Sequence, residues 1–254
     1  MMGSYRTYAR WEQRIVPGLR SSQFAYHDTI AGALHPGMRW LDAGCGHQLF
    51  PEWMVEQEKH LFSLGARVTG IDLDRPSLRR HSRLANKVLG DLTRLPFAHD
   101  SFDLISANMV VEHLEDPRRW LGEIQRVLAE RGTLIIHTPN RLHWAIMGAR
   151  LLPDALKRWL AAKLEQRASE DVFKTYYRLN SPEAIREFAA GAGLEVVSLT
   201  LVSGSAALGS LGFLAIPELL WIRLLRRKPF EGLRSNLVAV LRKPSSKPSQ
   251  GVDL

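Results

Sequence analysis

Three acidic residues and a pair of glycines carry the clearest chemistry in this chain. Asp42-Ala43-Gly44-Cys45-Gly46 closes the apolar run MRWL, Asp72 closes RVTGI, and Asp91-Leu92 follows KVLG. Glycines two residues apart allow a backbone to approach a ligand where a side chain would clash. Cys45 between them reads as a small filler. An ionised carboxylate has two oxygens that only accept hydrogen bonds. Asp72 therefore suits a pair of ribose hydroxyls. Asp91 suits an exocyclic amine, with the backbone N–H of Leu92 facing a ring nitrogen. Leu73 and Leu92 can sandwich a flat ring, and Asp42 offers negative charge to an amino or sulfonium group. Asn108 ends the run SFDLISA and brings its backbone beside the same place.

These residues share one place only if the elements before them line up. The spacing predicts strands at MRWLDAG, RVTGID, KVLGD, SFDLISAN and TLIIHT. Between them it predicts helices over 50–65, over 75–86 after the cap Asp74, and over 117–130 after the cap Asp116. A further helix is expected over 22–34. Strands alternating with helices give a parallel sheet covered on both faces. Ligands of such sheets bind beyond the carboxyl ends of the strands, where the three acids fall. A pyrophosphate needs backbone donors and no facing acid. The dinucleotide pattern G-x-G-x-x-G also fails, because its third glycine would stand where Leu49 does. A cofactor with a cationic centre, a ribose diol and an adenine fits better, and S-adenosylmethionine has all three.

The ordered set RWLDAGCGHQ, VTGIDLD, VLGDLTRLPFAHDSFDLISANMVVEHL and VLAERGTLIIHTPN resembles the class I S-adenosylmethionine-dependent methyltransferases. The likeness covers about residues 38–140 closely and the later pattern more loosely. The segments "FD…EHL" and "TPN" look like the small-molecule branch that includes quinone-type O-methyltransferases. The resemblance implies a Rossmann-like three-layer α/β/α sandwich around a seven-stranded, mostly parallel sheet. Its last strand would run antiparallel, and SNLVAVLRK fits that place. Gln48 stands where many members carry a third alternate glycine, so packing around the methionyl part of the cofactor is expected to differ in detail.

A second group of residues lies where an acceptor would approach. His113, after the fourth strand, could take a proton from a substrate hydroxyl; alternatively it organises its own loop. SEDVFKTYYRLN contains Asp171, Phe173, Tyr176, Tyr177 and Arg178. It is too polar for a core and too aromatic for a free linker, so it reads as either a lid or a packed connection. Tyr177 is a second candidate base, and Arg178 suits a carboxylate, phosphate or sugar on the substrate. His143 and Trp144 could line a pocket, and His137 reads as a core histidine.

The chain of 254 residues carries a net charge of +8. Much of the excess comes late, at Arg223, Arg226, Arg227, Lys228, Arg234, Arg242, Lys243 and Lys247. One cysteine excludes a disulfide framework and a cysteine zinc cluster, and no metal site is expected. The polar, aromatic start has no apolar leader, so a cytoplasmic protein is expected. Residues 1–37 read as a helical cap and 38–242 as the methyltransferase domain. Within that domain 38–140 is the cofactor half, with lid or substrate insertions at 141–180 and 204–233. Residues 243–254 read as a disordered tail.

A helix with a break at Pro153-Asp154 is expected over 141–168, another over 182–193, and a strand at LEVVSLTLV. The apolar stretch 208–229 is interrupted by Pro217, Glu218 and Arg223, which excludes a membrane span. Two buried helical pieces are the favoured reading there. Peripheral contact with a membrane is the other.

Three functions compete. The first is methyl transfer to oxygen on a small-molecule, glycan or lipid-linked acceptor. The second is a non-catalytic cofactor-binding scaffold in a biosynthetic complex. The third is nucleic-acid methylation, which the charge favours. N-M-V-V after the fourth strand opposes it, because an asparagine-proline-proline-aromatic motif would be needed for exocyclic amines.

Overall fold

The computed structural model describes residues 2–151, 174–206 and 208–245. The strands are β1 (Arg39–Ala43), β2 (Arg67–Asp72), β3 (Asn86–Leu89), β4 (Phe102–Asn108), β5 (Leu128–Pro139), β6 (Glu195–Val202) and β7 (Asn236–Arg242). They form one sheet in the order β3-β2-β1-β4-β5-β7-β6. All neighbours are parallel except β7, which runs antiparallel to both β5 and β6. The seven-stranded sheet with its antiparallel last strand is therefore present.

The helices are α1 (Met2–Ile15), α2 (Ser22–Ala33), α3 (Val55–Ser63), α4 (Arg75–Arg80), α5 (Pro117–Val127), α6 (Trp144–Leu151), α7 (Pro182–Gly191) and α8 (Ile216–Leu225). Alternation along the strands sends successive side chains to opposite layers. Leu134 and Ile136 of β5 pack with Trp120, Ile124 and Ile185 of α5 and α7. Ile135, between them, packs with Tyr26, Ile30 and Leu61 of α2 and α3. Helices thus cover both faces, as a parallel sheet without polar faces requires. Full burial of each such aliphatic side chain contributes about 1.5–3 kcal/mol.

Asp74, Asp116 and Ser181 cap α4, α5 and α7 through bonds from the N–H groups of Ser77, Arg119 and Ala184. Other boundaries differ from the sequence pattern. The helix expected over 50–65 begins only at Val55, after a 3-10 turn at Glu52–Met54. Leu49 and Phe50 are drawn into the core first.

The helix expected over 75–86 stops at Arg80. His81 and Leu84 are buried, and Leu84 packs on Cys45 and Leu78. Burial of that pair outweighs helix propensity. The fifth helix ends at Val127 instead of Glu130, because Leu128 already pairs with Phe102 and begins β5. Arg131 then takes a positive φ of 60° inside that strand. Residues 152–173, with the expected break at Pro153-Asp154 and with Asp171 and Phe173, lie outside the described residues. So does the tail from 246.

The stretch 208–229 is neither a span nor a single helix. Gly209–Ala215 is a 3-10 segment kinked at Gly212, α8 follows, and Lys228–Leu233 is a further 3-10 segment. No helix among the described residues is long and apolar enough to cross a membrane.

Candidate active site

Parallel pairing puts the carboxyl ends of β1, β2 and β3 side by side. Ala43 is level with Ile71, and Asp72 is level with Leu89. The chain leaving β1 turns immediately: the N–H groups of Gly44 and Cys45 both donate to the Ile71 carbonyl, at 2.8 and 3.1 Å. Gly44 has φ 77°, and a Cβ there would lie 2.4 Å from a Val110 methyl carbon. Glycine is required at that point by both backbone and space. Gly46 has φ 52°, but a Cβ built on it would meet nothing within 4 Å. The loop therefore turns a bare backbone toward open space.

Asp72 is held across this turn. One carboxylate oxygen accepts from Gly46 N and the other from Asp74 N, each at 2.8 Å. Each oxygen keeps a lone pair for another donor, the pattern a vicinal diol fills. Leu73 beside it is 68% exposed, an apolar side chain left facing solvent at the tip of β2. Past β3, Asp91 Oδ1 accepts from Thr93 N and Oγ1 at 2.8 and 2.9 Å, leaving Oδ2 directed to other donors. Leu92 is half-buried against the core.

Asp42 sits deeper than its role beside a cation implies. It is buried, and Ser106 Oγ donates to its Oδ1 at 2.9 Å. Ser106 Oγ in turn accepts from Trp40 Nε1 at 2.8 Å. Burial pushes the Asp42 carboxyl up to about 7, with the charge of Asp72 adding to the rise and the Ser106 bond opposing it. Near neutrality this carboxyl is only partly ionised. Two acids that repel each other make a place where a cation is welcome and a pyrophosphate is not. The loop from Gly46 also runs eight residues before α3, so no helix N-terminus adjoins the glycines as a phosphate cradle requires.

Cys45 is buried among Gly70, Leu78 and Leu84, and burial pushes its thiol up. The side chain of Asn108 is committed to structure. Its Nδ2 donates to Gln23 Oε1 and to the Leu49 carbonyl, and its Oδ1 faces His137 Nδ1 at 2.8 Å. Only its backbone remains for a ligand. His137 is a core histidine, stacked on Tyr26 and held neutral by burial, its pKa lowered to about 3.

The second group gathers at the ends of β4 and β5. Lys174–Arg178 lies as a strap along the loop after β4. The N–H groups of Tyr176 and Tyr177 donate to the Glu112 carbonyl at 2.7 and 3.2 Å. Tyr176 Oη donates to Glu115 Oε2 at 3.2 Å, and Arg178 Nη1 donates to the Glu115 carbonyl. His113 Nδ1 lies 3.1 Å from the Lys174 carbonyl. A carbonyl only accepts, so Nδ1 carries a proton in this contact. Tyr177 adopts φ 51°, a strained region for a bulky residue.

Sequence patterns missed what locks this strap. Asn180 Nδ2 donates to Thr138 Oγ1 and to the Pro139 carbonyl at 2.6 and 3.0 Å, and Thr138 Oγ1 donates to Glu112 Oε2 at 3.0 Å. All three residues are buried. "TPN" and "EHL" marked the neighbourhood, but nothing local marks Asn180 beyond its place before the Ser181 cap. His143 is held neutral by burial, its pKa lowered to about 4, whereas Trp144 is 38% exposed.

A family model described as a methyltransferase domain matches residues 12–199. The chain belongs to the class I S-adenosylmethionine-dependent methyltransferases. Among curated relatives, it is 28% identical over 214 residues to a ubiquinone biosynthesis O-methyltransferase of Parvibaculum lavamentivorans, covering 79% of this chain and 77% of that one. It is 35% identical over 103 residues to a malonyl-[acyl-carrier protein] O-methyltransferase of Hahella chejuensis, covering 39% and 35%. Several matched relatives are covered only in part, from 32% to 60% of their length.

A solved methyltransferase of Mesorhizobium loti shares the fold with TM-score 0.56 and 20% identity, over 85% of this chain and 96% of that one. A geranyl diphosphate C-methyltransferase of Streptomyces coelicolor, solved with S-adenosyl-L-homocysteine, does so with TM-score 0.57 and 15% identity, over 87% and 79%.

Proposed function

We propose that this chain transfers a methyl group from S-adenosylmethionine to an oxygen of a small-molecule, glycan or lipid-linked acceptor. The observation that carries this reading is Asp72, whose two oxygens are fixed by Gly46 N and Asp74 N at the tip of β2. S-adenosylmethionine, when bound, supplies an electrophilic methyl group on a sulfonium.

The chain's own residues then have distinct tasks. Asp72 receives the ribose hydroxyls, Asp91 the adenine amine, and Leu73 and Leu92 the faces of the ring. Gly44, Cys45 and Gly46 shape the turn that admits the methionyl part, with the backbone of Asn108 beside it. Asp42 lies toward the cationic end, where a positive charge would favour its ionised form. His113 takes the proton of an acceptor hydroxyl, and Tyr177 and Arg178 orient the acceptor. Residues 174–180 and 228–234 border the acceptor side, and alignment with exclusion of water supplies most of the rate. Relatives named as ubiquinone and malonyl-carrier O-methyltransferases support oxygen as the acceptor atom.

The test uses donor labelled in the methyl group. Wild type should move label onto the oxygen of a catechol, a prenylated phenol or a carrier-bound carboxyl, and Asp72→Ala should not. Wild type that shows no calorimetric binding of S-adenosylhomocysteine overturns the reading.

A further inference from the structure

We propose that the face shared by α1 and α8 docks this protein on an anionic membrane surface. The two helices pack together and border a groove of about 490 Å³. Arg14, Arg223, Arg226 and Arg227 line it together with Leu220 and Leu224, and no acidic side chain does. Arg226 donates to the Pro17 carbonyl. Arg14, Arg223 and Arg227 have no carboxylate partner among the described residues. The nearby acid Glu218 is turned inward, where it accepts from Leu208 N at 2.8 Å.

The apolar pattern of α8 exceeds what the core needs. Leu219, Ile222 and Leu225 are buried and form its inward face. Leu220, Arg223 and Leu224 recur at helical spacing on the other side, with Leu220 52% exposed. Phe213, just before α8, is 69% exposed. On α1, Trp11, Arg14 and Ile15 stand three and four residues apart, and Trp11 is 37% exposed. Arginines interleaved with leucines and a tryptophan match a lipid interface, which offers phosphates and an acyl boundary together. A nucleic acid would satisfy the arginines and leave the leucines unmatched, since its apolar contacts are made through stacked rings.

The sheet gives this face its direction. Val202 and Pro139 both pair with Asn236, so the segment between β6 and β7 leaves the sheet at the same end as the strand tips. Asn140 Nδ2, just past β5, donates to the carbonyls of Gly232 and Arg234 at 2.8 Å, fixing that segment to the acceptor side. Docking through α1 and α8 therefore brings the site's end of the sheet near the lipid. The inference stands apart from the methyl-transfer reading.

The experiment is flotation of the full chain with vesicles of phosphatidylcholine alone and of phosphatidylcholine mixed equally with phosphatidylglycerol. Wild type should float with the mixed vesicles only, and less so in high salt. The R223E/R227E double variant and Leu220→Asp should each lose more than about tenfold of that binding. Both should bind S-adenosylhomocysteine like wild type, which shows that they are folded. Wild type that ignores the mixed vesicles, or variants that float as well as it does, overturns the proposal. So does arginine-dependent binding of an RNA oligonucleotide in place of vesicles. Flotation without S-adenosylhomocysteine binding would defeat the methyl-transfer reading and leave this one standing.

Discussion

The two halves of the sheet build their part of the site in different ways. At β1, β2 and β3 the ligand-facing groups come from turns that immediately follow each strand. Gly46 N reaches Asp72 across a turn, and Asp91 bonds within two residues of itself. At β4 and β5 the strap 174–178 is held by groups far away in sequence. Glu112, Thr138 and Asn180, the first and last 68 positions apart, meet in one buried chain of hydrogen bonds. The first half is the seat proposed for the donor. The second is the proposed acceptor side, assembled from distant segments.

That contrast can be broken most forcefully at Asp72. Asp72→Ala should weaken S-adenosylhomocysteine binding by roughly 100-fold, about 3 kcal/mol, from the loss of charge-assisted bonds. Calorimetry measures it, and a near-wild-type affinity would move the donor seat elsewhere.

Next comes the pH dependence of Asp42. Its pKa is raised to about 7 from 3.8, so the folded state holds a proton that the unfolded chain has lost. Its contribution to stability is full below about pH 4 and is lost as pH rises to about 7, on the order of 4 kcal/mol. Asp42→Asn should match wild type at low pH and exceed it at pH 8 in urea unfolding. Equal stability at both ends would show that the carboxyl is not desolvated.

Gly44→Ala should cost about 2 kcal/mol, through a positive φ and the clash with Val110. Adding Val110→Ala should recover the clash but not the backbone cost, as thermal melting will report.

The smallest effect separates the halves directly. Asn180→Ala leaves Thr138 and the Pro139 carbonyl short of a donor, worth about 1–2 kcal/mol. Acceptor-dependent turnover should fall while S-adenosylhomocysteine affinity stays unchanged. Equal losses of both would mean that seat and acceptor side are one unit.

Much of the proposed donor seat rests on residues that the chain as written already singles out. Asp42, Gly44, Gly46, Asp72 and Asp91 each end an apolar run, and a parallel sheet leaves no choice about where such ends gather. Period-two burial and the caps at Asp74, Asp116 and Ser181 are consequences of local pattern. Only packing decided the rest. α4 stops early because His81 is buried and Leu84 packs on Cys45 and Leu78. Asp42 gives up part of its charge because the fold buries it and brings the charge of Asp72 near it.

Asn180, Thr138 and Glu112 became partners because β5 and the strap cross in space, a pairing with no period and no spacing to announce it. Local chemistry follows the order of residues, since neighbours in sequence share turns and faces. The pKa of a buried carboxyl and the partner of a buried amide depend on what the folded chain brings from far away.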